Sequence, residues 1–261
     1  MSTPSTPSSP GAASAPADDI ASIPTPDGEL PVRLYLPSSG TGPGLVLVQE
    51  IFGVSRYVEA RAADLAALGY VVAVPELYWR IGLAATPEDG DIQDVLGAGM
   101  SAAERLGLEH AVADTDRTLA WLPTHPAVTG PVGLIGFCFG GGVAFAVAAA
   151  RAADPDAADP AVLVSYYGSS IPAQAEADAE RAGAVTVPSL HHWGEVDAFI
   201  PGEAQEATRA VLDGEHPLEW FTYPGANHAF DNPHPAFHHA DASALAWERT
   251  KAFLAAHLPV A

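Results

Sequence analysis

Short, continuously apolar runs alternate along this chain with longer stretches of helical spacing. Leu45-Val46-Leu47-Val48, Tyr70 to Val74, Val132 to Ile135 and Ala161 to Tyr167 read as strands covered on both faces. Val58 to Leu68, closed by Gly69, reads as a helix, as do Glu109 to Trp121 and Val143 to Arg151. Leu30 to Leu36 alternates and predicts an early strand, with Pro31 suggesting an edge position. Further on, Val187 to Gly194 and Leu218 to Tyr223 predict strands, and Glu203 to Leu212 and Asp241 to His257 predict helices. Residues 79 to 108 have weaker periodicity and predict a loop with one or two short helices over the strand ends, while 172 to 184 are alanine-rich and undecided. Strands alternating with helices imply an α/β class: a mostly parallel sheet with helices on both faces, in one domain covering residues 20 to 261. The Ser/Pro/Ala-rich residues 1 to 19 read as a disordered tail without the charged and apolar parts of a secretory signal.

Composition narrows the partners. With 32 acidic against 11 basic residues the formal charge is −21, which argues against nucleic acid and anionic membrane surfaces. No run of apolar residues is long enough for a membrane span. The single cysteine, Cys138, cannot form an internal disulfide, and a reducing cytoplasm fits. A monomer or a homodimer is expected.

Candidate chemistry centres on Gly136-Phe137-Cys138-Phe139-Gly140, between a predicted strand and a predicted helix. That is the setting of a G-x-S-x-G nucleophile turn, here with cysteine in the serine position. The glycines allow strand and helix to approach closely, and the helix N-terminus favours a thiolate. The competing reading is a small buried hydrophobe, the usual fate of a lone cysteine.

Reactive residues gather at the carboxyl ends of strands in such sheets, and those ends carry Glu50, Cys138, Asp197 and His228. Nucleophile, acid and histidine follow in α/β-hydrolase order. Cys138 would attack a carbonyl, His228 would hold the thiol proton, and Asp197 would fix the imidazole. The backbone N–H groups of Phe139 and Ile51 are the oxyanion-hole candidates. Each residue alone has a plainer use: Asp197 could cap a helix near Pro201, and Glu50 could be a solvated strand end. His234, His238 and His239 could ligate a metal, but no carboxylate-histidine signature accompanies them, and no metal is expected.

Together, Gln49-Glu50-Ile51-Phe52-Gly53-Val54, Pro75-Glu76-Leu77-Tyr78, Gly136 to Gly141, Gly194 to Pro201 and Gly225-Ala226-Asn227-His228-Ala229-Phe230 resemble the dienelactone hydrolases, a cysteine branch of the α/β-hydrolases. The resemblance implies a triad on Cys138, His228 and Asp197, with Glu50 holding the resting thiol and helping to deprotonate it. It implies opening of enol-lactones without a cofactor. The family's substrate-gripping arginine past the catalytic histidine has no counterpart in Asp231-Asn232-Pro233, and a second arginine is replaced at best by Arg80. Substrate-binding candidates are Arg80, Tyr78, Trp193 and Phe230. The missing cations point toward small neutral esters, and a thiol sensor or binding protein is the alternative outside catalysis.

Overall fold

The computed structural model describes residues 16 to 260. Residues 1 to 15 of the expected tail lie outside the described residues, whereas Asp18 and Asp19 already belong to the sheet margin. Asp18 donates its N–H to the Leu34 carbonyl at 2.8 Å, and Asp19 opens the first strand.

That strand, β1 (Asp19–Thr25), turns back into β2 (Gly28–Tyr35) as an antiparallel hairpin. Thr25 Oγ1 donates to the Gly28 carbonyl at 2.9 Å, and Gly28 adopts φ 145°, a value that favours glycine. The hairpin changes the position of Pro31. It does not lie at the sheet edge, because β1 covers one side of β2 and β4 (Val71–Pro75) pairs antiparallel on the other. Pro31, opposite Ser22, has no N–H to give to the ladder, but its carbonyl still accepts from Glu76 N–H at 2.9 Å.

The remaining strands are parallel: β3 (Gly42–Val48), β5 (Val128–Phe137), β6 (Leu163–Tyr166), β7 (Ser189–Gly194) and β8 (Leu218–Tyr223). The eight strands lie in the order β1-β2-β4-β3-β5-β6-β7-β8. β3 is buried along its whole length, as its unbroken apolar run requires. Its alternate residues feed two cores, with Val46 and Val48 on one face and Leu45 and Leu47 on the other.

Helices cover both faces. α1 (Arg56–Ala67) and α8 (Ala240–His257) pack on the Leu45 side. The Val46 side receives α2 (Ile92–Leu106), α3 (Leu108–Trp121), α4 (Phe139–Ala152), α5 (Ile171–Ala177), α6 (Ala179–Gly183) and α7 (Gly202–Leu212). α1 begins where Ser55 accepts the Val58 N–H at 3.3 Å. α2 is a correction to the sequence reading. The region expected to hold short helices contains one of 15 residues, capped by Asp91 through the Gln93 N–H. Its buried stripe is Val95, Gly99, Ala102 and Leu106, at helical spacing but half made of small residues.

Candidate active site

The turn that carries Cys138 is built by close contact of backbones. A Cβ on Gly136 would lie 2.1 Å from the Gly140 carbonyl oxygen, and one on Gly140 would lie 2.2 Å from the Val48 oxygen. Only glycine lets β5 turn into α4 this tightly against the end of β3. Cys138 sits at the corner with φ 53° and ψ −118°, a backbone that L-residues disfavour. Its N–H donates to the Tyr166 carbonyl at 2.9 Å, and its own carbonyl accepts from Gly141 and Ser169. Two other non-glycine residues with positive φ, Tyr167 and Ala229, lie beside it and beside His228. Strain is thus concentrated at the site.

Three of the expected residues meet in one line. Cys138 Sγ is 3.1 Å from His228 Nε2, and His228 Nδ1 donates to Asp197 Oδ2 at 2.8 Å. Asp197 Oδ1 accepts the N–H groups of Phe199 and Ile200, both at 2.9 Å. The capping use and the triad geometry therefore share one carboxylate. Asn227 Oδ1 holds the other flank, accepting from His228 N–H at 2.7 Å and Ala198 N–H at 2.9 Å. Cys138 retains 8% exposure, so the thiol is sheltered without being sealed.

Electrostatics raises the affinity of His228 for its proton. Burial on its own would push the His228 imidazole down. The negative charge of Cys138 and the hydrogen bond to Asp197 outweigh it, and the imidazole moves well up from its usual range.

The resemblance implies that Glu50 holds the resting thiol; in the structure Glu50, just past β3, is hydrogen-bonded elsewhere. Its Oε2 accepts from Asn232 Nδ2 at 2.7 Å, while Cys138 pairs with His228. Glu50 is fully buried, and burial pushes its carboxyl up to about 7. Asn232 and the His228 charge pull it back, and Asp231 and Glu88 add like charge.

The oxyanion candidates are both placed by this packing. Phe139 is the first residue of α4, so the helix cannot use its N–H. Ile51 follows Glu50, and its carbonyl accepts from Tyr78 Oη at 2.6 Å, which fixes the turn. Tyr78 is buried, and its phenol feels the charge of Cys138.

The remaining substrate-binding candidates are placed elsewhere. Arg80 is held by Asp114 at 2.8 Å through both Nε and Nη2, and by Asp27 at 2.5 Å, while its guanidinium lies over Trp79. All three guanidinium nitrogens of Arg80 are thereby engaged by carboxylates. Trp193 is fully buried and stacks with His191 and Trp220, because its position in β7 points into the Val46-side core. Phe230 is also fully buried, against Tyr166, Tyr167 and Tyr223. The histidine cluster is spent on local caps: His234 accepts from the Ala236 N–H and His239 from the Ala242 N–H. No group of three metal-ligating side chains occurs among the described residues.

Sequence reasoning missed Asn232 and Phe199. Phe199 is 60% exposed, with its ring 5.1 Å from that of His228. A cleft of about 260 Å³ opens beside Asn232, lined also by Phe52, Arg56, Tyr57, Glu88 and Phe237.

Known proteins can be set beside this geometry. The profile of the Dienelactone hydrolase family matches residues 30–258. The chain belongs to the dienelactone hydrolase family. It is 34% identical over 205 residues to a carboxymethylenebutenolidase of Pseudomonas sp. (strain P51), covering 78% of this chain and 80% of that one. A carboxymethylenebutenolidase of Pseudomonas putida is 30% identical over 221 residues, covering 84% and 88%. A crystal structure of a putative dienelactone hydrolase from Klebsiella pneumoniae superposes with a TM-score of 0.72 at 27% identity, covering 91% of this chain and 97% of that one. The fold of this dienelactone hydrolase family member is the α/β-hydrolase fold, and its enzyme class is carboxylic ester hydrolase. No helix among the described residues is long and apolar enough to cross a membrane.

Proposed function

We propose that the protein cleaves small neutral esters or lactones through an acyl-enzyme on Cys138. The observation that carries this reading is the unbroken line Cys138 Sγ, His228 and Asp197, at 3.1 and 2.8 Å. The thiolate attacks the ester carbonyl, and the negative charge moves to the carbonyl oxygen, opposite the Phe139 and Ile51 N–H groups. Collapse expels the alkoxide, which takes the proton from His228 Nε2. His228 then draws a proton from water, the hydroxide attacks the thioester, and the thiolate leaves with the acid released. Asp197 stabilises the imidazolium throughout.

Neutrality of the substrate follows from how the arginines are used. Arg80 is bound to Asp114 and Asp27, and Arg61 to Asp231. Arg56, in the cleft, is bound to Glu88 at 3.0 Å and Asp89 at 2.9 Å. An anionic group entering here would meet cations already neutralised, with the buried Glu50 behind them.

Stopped-flow release of p-nitrophenol from p-nitrophenyl acetate tests the reading. A burst is expected from the wild type and none from Cys138→Ala. An unchanged burst in the variant removes the sulfur from the mechanism. Comparing kcat/KM for a neutral ester and its carboxylate-bearing analogue tests the substrate class, with the neutral one expected to lead.

A further inference from the structure

Asn232 joins the catalytic pair to the cleft. Its Nδ2 donates to Glu50 Oε2 at 2.7 Å, its Oδ1 accepts from His234 N–H at 3.0 Å, and the residue also lines the cleft. Glu50 is fully buried, and its second oxygen, Oε1, has no hydrogen-bond partner among the described residues. A buried carboxylate held by one neutral amide is costly to ionise, and that amide is the hydrogen bond that favours its charged form.

We propose that Asn232 is the positioning residue that keeps Glu50 off the nucleophile: its amide binds the carboxylate in competition with Cys138, so the thiol proton passes to His228 and Glu50 remains a separate titrating group. The proton balance is simple. The thiol loses its proton to His228 Nε2, giving thiolate and imidazolium, and Glu50 exchanges its own proton with solvent. The consequence for turnover rests on the acyl-enzyme reading; the placement of Glu50 does not.

The groups that face Glu50 set the direction of change. The His228 charge favours its ionised form, and Asp231 and Glu88 oppose it. Arg61 neutralises Asp231, and Arg56 neutralises Glu88. The Tyr57 and Tyr167 phenols, which also feel Glu50, are held well above their usual range by burial and stay neutral. Of the side chains around it, Asn232 is the one that donates a hydrogen bond to the carboxylate.

The test uses infrared titration of the Glu50 carboxyl, assigned by its loss in Glu50→Gln, together with the pH profile of Cys138 alkylation by iodoacetamide. Removing the amide in Asn232→Leu is expected to move the carboxyl midpoint upward by about one pH unit, since a hydrogen bond to a charged group is lost. The alkylation profile is expected to shift with it, because the released carboxylate can then reach the thiol. Asn232→Asp keeps the shape and replaces the donor with an acceptor, so it is expected to shift the midpoint further and decides the matter if the leucine variant fails to fold. A midpoint unmoved in the folded variants overturns the proposal, as does an alkylation profile that stays on the wild-type curve while the carboxyl midpoint moves. Neither measurement needs an ester, so a protein without turnover would sink the functional reading and leave this one to its own result.

Discussion

Arg61 grips Asp231 through two donors, Nε at 2.8 Å and Nη2 at 2.7 Å, inside the protein and directly behind the loop that bears His228 and Asn232. The Asp231 carboxylate also accepts from Tyr57 Oη at 2.5 Å and Ser243 Oγ at 2.6 Å. The loop is thereby fastened to α1 and α8 at once. Removing one partner leaves a buried charge uncompensated, whereas removing both does not. Asp231→Asn is expected to cost about 3–5 kcal/mol in urea unfolding. An Arg61→Met, Asp231→Leu double variant is expected to recover much of that loss. A single-variant cost near zero would show that the pair does not anchor the loop.

Glu50 has a measurable effect on stability. Its carboxyl is raised from 4.5 to about 7 in the fold, so the folded state holds the proton more tightly than the unfolded chain does. The stabilisation is complete below 4.5 and is lost as pH rises through about 7. The gap corresponds to about 3 kcal/mol at most. His191 works the other way: burial pushes its imidazole down to about 3, so its contribution is lost as pH falls below 6.5. Comparing Glu50→Gln with the wild type isolates the carboxyl. The stability difference is expected to move in favour of the variant between pH 5 and 7, as read by urea midpoints; parallel curves would mean that Glu50 does not titrate there.

Phe199 stands over the His228 imidazole, edge to face with it and with most of its ring in solvent. An aromatic ring at that place offers an apolar wall to the substrate. Phe199→Ala is expected to raise KM for aromatic esters about tenfold, as a loss of about 1.4 kcal/mol of binding would, while kcat holds. A fall in kcat at constant KM would instead assign the ring to holding His228.

Some of this was legible in the sequence, because short-range patterns carry it. The glycine-framed cysteine and the order of Cys138, Asp197 and His228 depend on local turns at the ends of strongly apolar strands, and the structure brings those side chains together. β1 was not legible. It is an edge strand, mostly exposed, with Pro24 in it, and no buried face imposes an apolar pattern. α2 was obscured because Gly99 and Ala102 occupy buried positions where larger side chains would have announced a stripe.

Substrate-facing residues were harder still. Trp193 and Phe230 are large, aromatic and close in sequence to strand ends, features shared by pocket walls and by cores; here both are core. Arg80 offered a cation, but its partners Asp27 and Asp114 are distant in sequence and reach it only through folding. Asn232 stood out only as a position lacking the family's arginine, since its own contact is with a residue 182 positions away.

The positive-φ backbone at Cys138 sets the proposed nucleophile on a strained corner of the fold. Glycine would relax that corner, but glycine has no sulfur. On the proposed mechanism, thermal endurance and turnover therefore pull this one position in opposite directions.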